Sequence, residues 1–212
     1  MKVKAAHCTC CEYDVPYIIS NEYSNKIIGV FGDSFGGLAD IKNYSEKHLN
    51  DYFSHECSWL FYLGILSYSE VHSWGISNGS EYDILQTLLN NKTKYDYYII
   101  FHTQPHRKNI TTDKNINLYK TLAAIESITR EKLNVLHLFW HNEHEVYTFS
   151  QPKYCIENIL KKHPSMDERF MIKEQVINKN DQQSGHCHLS NRGNLLLAIE
   201  LNKIIFSNDE SN

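Results

Sequence analysis

The chain has 212 residues, a formal net charge of -4 and an isoelectric point near 6.3, with 42% hydrophobic and 22% charged residues. That balance is ordinary for a globular protein and large enough to bury a core without disulfide or metal staples. It argues against the basic face of a nucleic-acid binder, and no apolar run reaches the roughly 18 residues that would predict a membrane span.

The first 25 residues read as an N-terminal extension. Three of the six cysteines crowd into His7-Cys8-Thr9-Cys10-Cys11. Adjacent Cys10 and Cys11 suit a structural zinc site poorly, so the thiols are read as reduced and no metal is assigned. The segment lacks the apolar stretch of a secretory signal, so the default expectation is cytoplasmic, with a virion or unconventional export left open.

From Lys26 to Phe31 an apolar run predicts a buried strand, ended by Gly32-Asp33. A polar helix is expected over Ile41–Phe53, followed by the core-facing run Trp59–Leu63. Ser69–Trp74 predicts a second strand. Glu81–Leu89 predicts a helix with Ser80 as its cap. Tyr97–Phe101 is a third strand, Asp113–Lys132 a long helix and Val135–Phe139 a fourth strand. Tyr154–Lys161 predicts a short helix and Arg192–Phe206 a final one, with a disordered tail over residues 207–212. Strands alternating with helices predict one α/β domain, a central and mostly parallel sheet of about five strands covered on both faces. In such sheets the chemistry sits at the carboxyl ends of the strands.

Two motifs fall there. Ile28-Gly29-Val30-Phe31 runs straight into Gly32-Asp33-Ser34, which leaves a serine at the mouth of the first strand. Near the other end, His186-Cys187-His188-Leu189-Ser190-Asn191-Arg192-Gly193-Asn194 leads into the last helix. A serine hydroxyl needs a neighbouring base to act as a nucleophile, and histidine fits that role at neutral pH.

This order, Gly-Asp-Ser early and His-Leu-Ser-x-x-Gly-Asn before the final helix, resembles the SGNH hydrolases, also called GDSL-type esterases. The resemblance runs from Lys26 to Phe206. It implies a flavodoxin-like three-layer α/β/α fold, ester hydrolysis, Ser34 as nucleophile and His188 as base. Two blocks match and two depart. The stretch Ser73-Trp74-Gly75-Ile76-Ser77-Asn78-Gly79-Ser80 puts Asn78 where the family has its oxyanion glycine, with Gly79 one place later. After the third strand the sequence is Thr103-Gln104-Pro105-His106-Arg107, with proline at the usual asparagine position, so Gln104 or Arg107 is the candidate replacement donor. The family's aspartate two or three residues before the histidine is replaced by His186 or Gly185. Asp181 is then the candidate orienting carboxylate, or the base works as a Ser–His dyad.

Asp33, Thr103, Trp140, His141 and His186 are expected to line the substrate pocket. Trp140 and Tyr147 are either sugar-stacking or buried aromatics. Phe139-Trp140-His141-Asn142-Glu143-His144 lacks the i, i+4 spacing of a helical zinc motif, so its histidines are read as pocket residues. The functional expectation is a serine hydrolase acting on a small-molecule or glycan ester, O-acetyl groups included, with no cofactor and an open oligomeric state. The alternatives are a catalytically weakened binding or structural module of the same fold, and a metal-dependent hydrolase using His141, His144 and His186.

Overall fold

The computed structural model describes residues 2–4, 17–20, 24–33, 58–76, 79–103, 118–140, 147–161 and 191–206. Among the described residues seven strands form one sheet: β1 (Lys2–Lys4), β2 (Tyr17–Ser20), β3 (Ile27–Gly32), β4 (Glu70–Gly75), β5 (Tyr97–Phe101), β6 (Val135–Phe139) and β7 (Lys153–Cys155). Their spatial order is β1-β2-β4-β3-β5-β6-β7. The run β4-β3-β5-β6-β7 is parallel, while β2 joins β4 and β1 joins β2 antiparallel.

The helices are α1 (Trp59–Leu66), α2 (Glu81–Asn90), α3 (Leu118–Arg130), α4 (Ile156–Lys161) and α5 (Asn191–Phe206). β3 and β5 are apolar on both sides because helices cover both faces. From β3, Ile28 and Val30 enter one core, shared with Leu60 and Leu63 of α1 and Leu197 and Leu201 of α5. Phe31 enters the opposite core with Ile84 and Leu88 of α2 and Ile125 of α3. β5 divides in the same way, Ile99 and Phe101 to the first core and Tyr98 and Ile100 to the second. Burying one such side chain stabilises the fold by about 1.5–3 kcal/mol. The result is a three-layer α/β/α sandwich, as the alternation of apolar runs predicts.

Local signals explain several boundaries. Ser80 caps α2 in a reciprocal capping box: its hydroxyl accepts from Asp83 N–H, and the Asp83 carboxylate accepts from Ser80 N–H at 2.8 Å. Ser58 caps α1 by accepting from Phe61 N–H at 3.2 Å. Gly29 lies where the Tyr95 ring crosses the sheet, and a Cβ there would collide with that ring. The ring is held in turn by Trp74, whose indole N–H donates to the Tyr95 hydroxyl at 2.7 Å.

Three differences from the sequence-based elements stand out. The N-terminal extension contributes β1 and β2 to the sheet edge. Lys153–Cys155, partly read as the start of a helix, forms β7 before α4 begins at Ile156. The long helix expected over Asp113–Lys132 ends at Arg130, and residues 113–117 lie outside the described residues. The expected helix over Ile41–Phe53 lies outside the described residues. Among the described residues no helix is long and apolar enough to cross a membrane.

Candidate active site

The parallel strands are wound outward from the centre. From β3 the chain passes through α1 to β4 on one side, and from β5 it passes through α3 to β6 on the other. The switch point therefore lies between the ends of β3 and β5, where open α/β sheets leave a crevice. The register is level at that edge: Gly32 is beside Gly75 of β4 and beside Phe101 of β5. The next residues on each strand are Asp33, Ile76 and His102, so three chain exits emerge side by side.

Asp33 is 2% exposed at the end of β3. Gly79 follows β4 and precedes the α2 cap. Its N–H donates to Ile76 O at 2.9 Å, closing a turn, and an amide held in that bond is not free to receive an oxyanion. Thr103 follows β5, and its N–H donates to Glu81 Oε1 at 2.8 Å. The Thr103 hydroxyl is buried without a hydrogen-bond partner among the described residues, and an unpaired buried hydroxyl at a strand end calls for a functional explanation.

Trp140 at the end of β6 is 8% exposed and packs in the core with Leu136, Leu138 and Ile156. Of its two sequence readings, a sugar-stacking surface or a buried aromatic, the fold takes the second. Tyr147 is half-buried, and its hydroxyl donates to Glu126 Oε2 at 2.6 Å. Ser34, Asn78, Gln104, Arg107, His141, His144, Asp181, His186 and His188 lie outside the described residues. Among the described residues no group of three His, Cys, Asp or Glu side chains is arranged to hold a metal ion.

The last helix begins at this same edge. α1 leads from β3 back to the start of β4, so its first turn lies at the carboxyl ends of the strands. Trp59 at that first turn has its ring 6.4 Å from that of Phe101 at the end of β5. Asn194, in the first turn of α5, accepts from Trp59 N–H at 3.2 Å. A side chain 135 positions away thus satisfies an orphan amide of α1 and ties the start of α5 to the strand ends.

Sequence reasoning missed a buried polar chain just beneath this edge. Glu81, the first residue of α2, faces His102 Nδ1 through Oε2 at 3.0 Å. His102 Nε2 faces His137 Nδ1 at 2.8 Å, and His137 Nε2 faces Gln151 Oε1 at 2.9 Å. Burial pushes His102 down to about 3, and burial together with His102 pushes His137 down to about 3. Both imidazoles are therefore neutral at pH 7. The Phe139 ring stacks on His102 at 4.4 Å and the Phe149 ring on His137 at 4.1 Å, excluding water. The available signal was His137 itself, a histidine inside the otherwise apolar strand Val-Leu-His-Leu-Phe, where an unpartnered imidazole would be costly. Nothing local marks Glu81, which reads as an ordinary first-turn acid.

Scanned against protein-family models the sequence matches none, and no curated protein sequence matches it. Solved structures do match. A protein assigned to the G-D-S-L family of lipolytic proteins from Desulfitobacterium hafniense superposes with a TM-score of 0.52 at 16% identity, covering 85% of this chain and 99% of that one. A possible lipase from Chitinophaga pinensis gives 0.50 at 16% identity, covering 88% and 100%. A variant of the acetylxylan esterase Axe2 from Geobacillus stearothermophilus gives 0.51 at 14% identity, covering 88% and 96%. The chain has an SGNH hydrolase-like fold. Such identities establish the architecture and leave the activity to the site.

Proposed function

We propose that the protein is an SGNH-type serine esterase, with Ser34 as nucleophile and His188 as base, acting on a small-molecule or glycan ester. The observation that carries this reading is the level register of Gly32, Gly75 and Phe101. The Gly-Asp-Ser segment thereby leaves the sheet between the segments that carry the candidate oxyanion donors. Ser34 follows the buried Asp33 directly in the chain, and His188 precedes α5 by three positions. The tie from Asn194 to Trp59 supports a base near the same edge.

In this mechanism Ser34 Oγ attacks the ester carbonyl carbon while His188 takes its proton. The tetrahedral oxyanion is held by the Ser34 and Asn78 amides, with Gln104 or Arg107 replacing the usual asparagine. Asn78 is preferred over Gly79 because the Gly79 amide is committed to Ile76. His188 then protonates the departing alcohol. Water, activated by the same histidine, releases the carboxylic acid from the acyl-serine. Asp181 orients His188, or the base acts in a dyad. The acetylxylan esterase among the structural neighbours makes an O-acetylated oligosaccharide the natural first glycan substrate to try.

The test is hydrolysis of p-nitrophenyl acetate and of acetylated xylo-oligosaccharides by wild type, Ser34→Ala and His188→Ala, each checked for folding. Both substitutions are expected to lower kcat by about 10³-fold or more. Equal rates in wild type and Ser34→Ala, or no turnover by wild type on either substrate, overturn the reading in favour of a binding module.

A further inference from the structure

The hydrogen bonds of the buried chain can be counted proton by proton. Gln151 Nε2 donates to Thr129 O at 2.7 Å, so the amide cannot be turned round without setting two oxygens against each other. Gln151 Oε1 therefore faces His137, and an amide oxygen only accepts. His137 Nε2 must carry a proton and donate to it at 2.9 Å. A neutral His137 then offers a bare Nδ1, which needs a proton from His102 Nε2 at 2.8 Å. A neutral His102 in turn offers a bare Nδ1, which needs a proton from Glu81 Oε2 at 3.0 Å. The other carboxyl oxygen, Oε1, is already an acceptor for Thr103 N–H at 2.8 Å. Three bonds in series need three protons. An ionised Glu81 with two neutral imidazoles supplies only two, and would leave one pair of lone pairs facing each other in a site 0% to 5% exposed.

We propose that Glu81 is held as a carboxylic acid, donating to His102 and accepting from Thr103, and that it is the positioning residue joining the turn after β4 to the exit of β5. Under the esterase reading, on which this positioning role rests, those two segments carry the oxyanion donors. Glu81 starts α2 two residues after Gly79, and its carboxyl bonds both His102 and Thr103. One side chain thereby ties the start of α2, just after Gly79, to His102 and Thr103 at the exit of β5. The whole chain of groups is electrically neutral, which is why it is tolerated where burial disfavours charge.

Among the described residues, the charged and titratable groups beside it lie on α3, on the segment before β7 and at the end of β3. From α3 come Glu126, pushed down to about 2 chiefly by hydrogen bonds from Ser150 and Tyr147, and the exposed Arg130 beside it. From the segment before β7 comes Tyr147, pushed up to about 12 by burial and Glu126. Asp33 follows Gly32, the register partner of the residue before His102.

The consequence is a proton linkage. In the unfolded chain Glu81 is ionised above its ordinary value of about 4.3, whereas the folded chain keeps the third proton. Glu81→Gln preserves these two bonds without that proton: its amide nitrogen donates to His102 and its oxygen accepts from Thr103. Urea unfolding of the full chain, wild type against Glu81→Gln, from pH 5.5 to 8.5 is the test. The ratio of their unfolding constants is expected to rise about tenfold per pH unit against the wild type. Parallel curves mean that the folded chain holds no third proton and overturn the proposal. Nitrogen-15 NMR of the imidazoles locates the proton: neutral rings at His102 and His137, protonated at Nε2, are expected. A doubly protonated His102 overturns the acid form. Neither measurement involves substrate, so both decide the proposal whatever becomes of Ser34. With ester hydrolysis as readout, Glu81→Leu is expected to lose kcat on the order of 10²-fold by misplacing the donors, and Glu81→Gln to rescue it. Failure of that rescue overturns the positioning role.

Discussion

Two carboxyl groups are about equally hidden from solvent, Glu81 at 5% and Glu126 at 6% exposure, yet the proton count makes the first neutral and the second is an anion. Glu126 of α3 accepts from Ser150 N–H at 2.8 Å, Ser150 Oγ at 2.6 Å and Tyr147 Oη at 2.6 Å. Three donors stabilise its anion and push it down to about 2 against the effect of burial. Glu81 accepts from Thr103 N–H through one oxygen, and its other oxygen faces an imidazole nitrogen that must itself be given a proton. Both side chains are shielded from solvent, so the groups bonded to each carboxyl weigh on its charge alongside burial. At the strand ends, where the candidate chemistry lies, a neutral acid avoids placing an anion beside a developing oxyanion.

Removing each carboxyl separates the two sites most strongly. Glu81→Ala leaves Thr103 N–H and His102 Nδ1 without partners inside the protein. At about 1–3 kcal/mol for each orphaned group, a loss of about 3 kcal/mol is expected in urea unfolding at pH 7. Glu126→Ala strands Tyr147 and Ser150, but Ser150 is exposed and Tyr147 half-exposed, so water replaces the lost carboxylate. A loss of about 1–2 kcal/mol is expected. A larger loss at Glu126 than at Glu81 would reverse the ranking.

Acid sharpens the difference. Glu126 is depressed from 4.5 to about 2, so its stabilisation is complete above pH 4.5 and is lost as pH falls through 2. The gap between wild type and Glu126→Gln should therefore stay constant above pH 4.5 and close towards pH 2. His102 and His137 are depressed from 6.5 to about 3. Their neutral forms contribute fully above pH 6.5, and that contribution falls away with acidification towards pH 3, because the unfolded chain takes up protons that the folded chain refuses. Acid weakening should thus start near pH 6.5 in both proteins. A wild type whose stability stays flat between pH 6.5 and 4.5 would contradict the buried neutral pair.

The smallest effect belongs to Arg130, whose guanidinium lies 3.8 Å from Glu126 Oε1 and is 68% exposed. Arg130→Ala should cost no more than about 0.5 kcal/mol, and less in high salt. A larger loss would mean that the charge on Glu126 depends on the arginine rather than on Ser150 and Tyr147.

What the sequence alone determined was local. The apolar runs of β3, β5 and β6, the Ser80 cap and the final amphipathic helix all rest on contacts between near neighbours. They were legible for that reason, and their alternation sufficed for the three-layer class. The Gly-Asp-Ser segment was legible as a strand ending in a turn, and so was its resemblance to the SGNH hydrolases. What only the tertiary structure decided was non-local. β1 and β7 are three residues each, too short for a periodic signal, and hold their places through pairing partners. Gly79 was a reasonable oxyanion donor until its amide proved to close a turn on Ile76. Trp140 was open to two readings until neighbours from α4 and β6 enclosed it. Glu81, His102 and His137 are separated by 21 and 35 positions, and no spacing rule joins them. Their proton count exists only once the sheet brings three strand and helix ends together and the aromatic rings shut out the water that would otherwise satisfy each group separately.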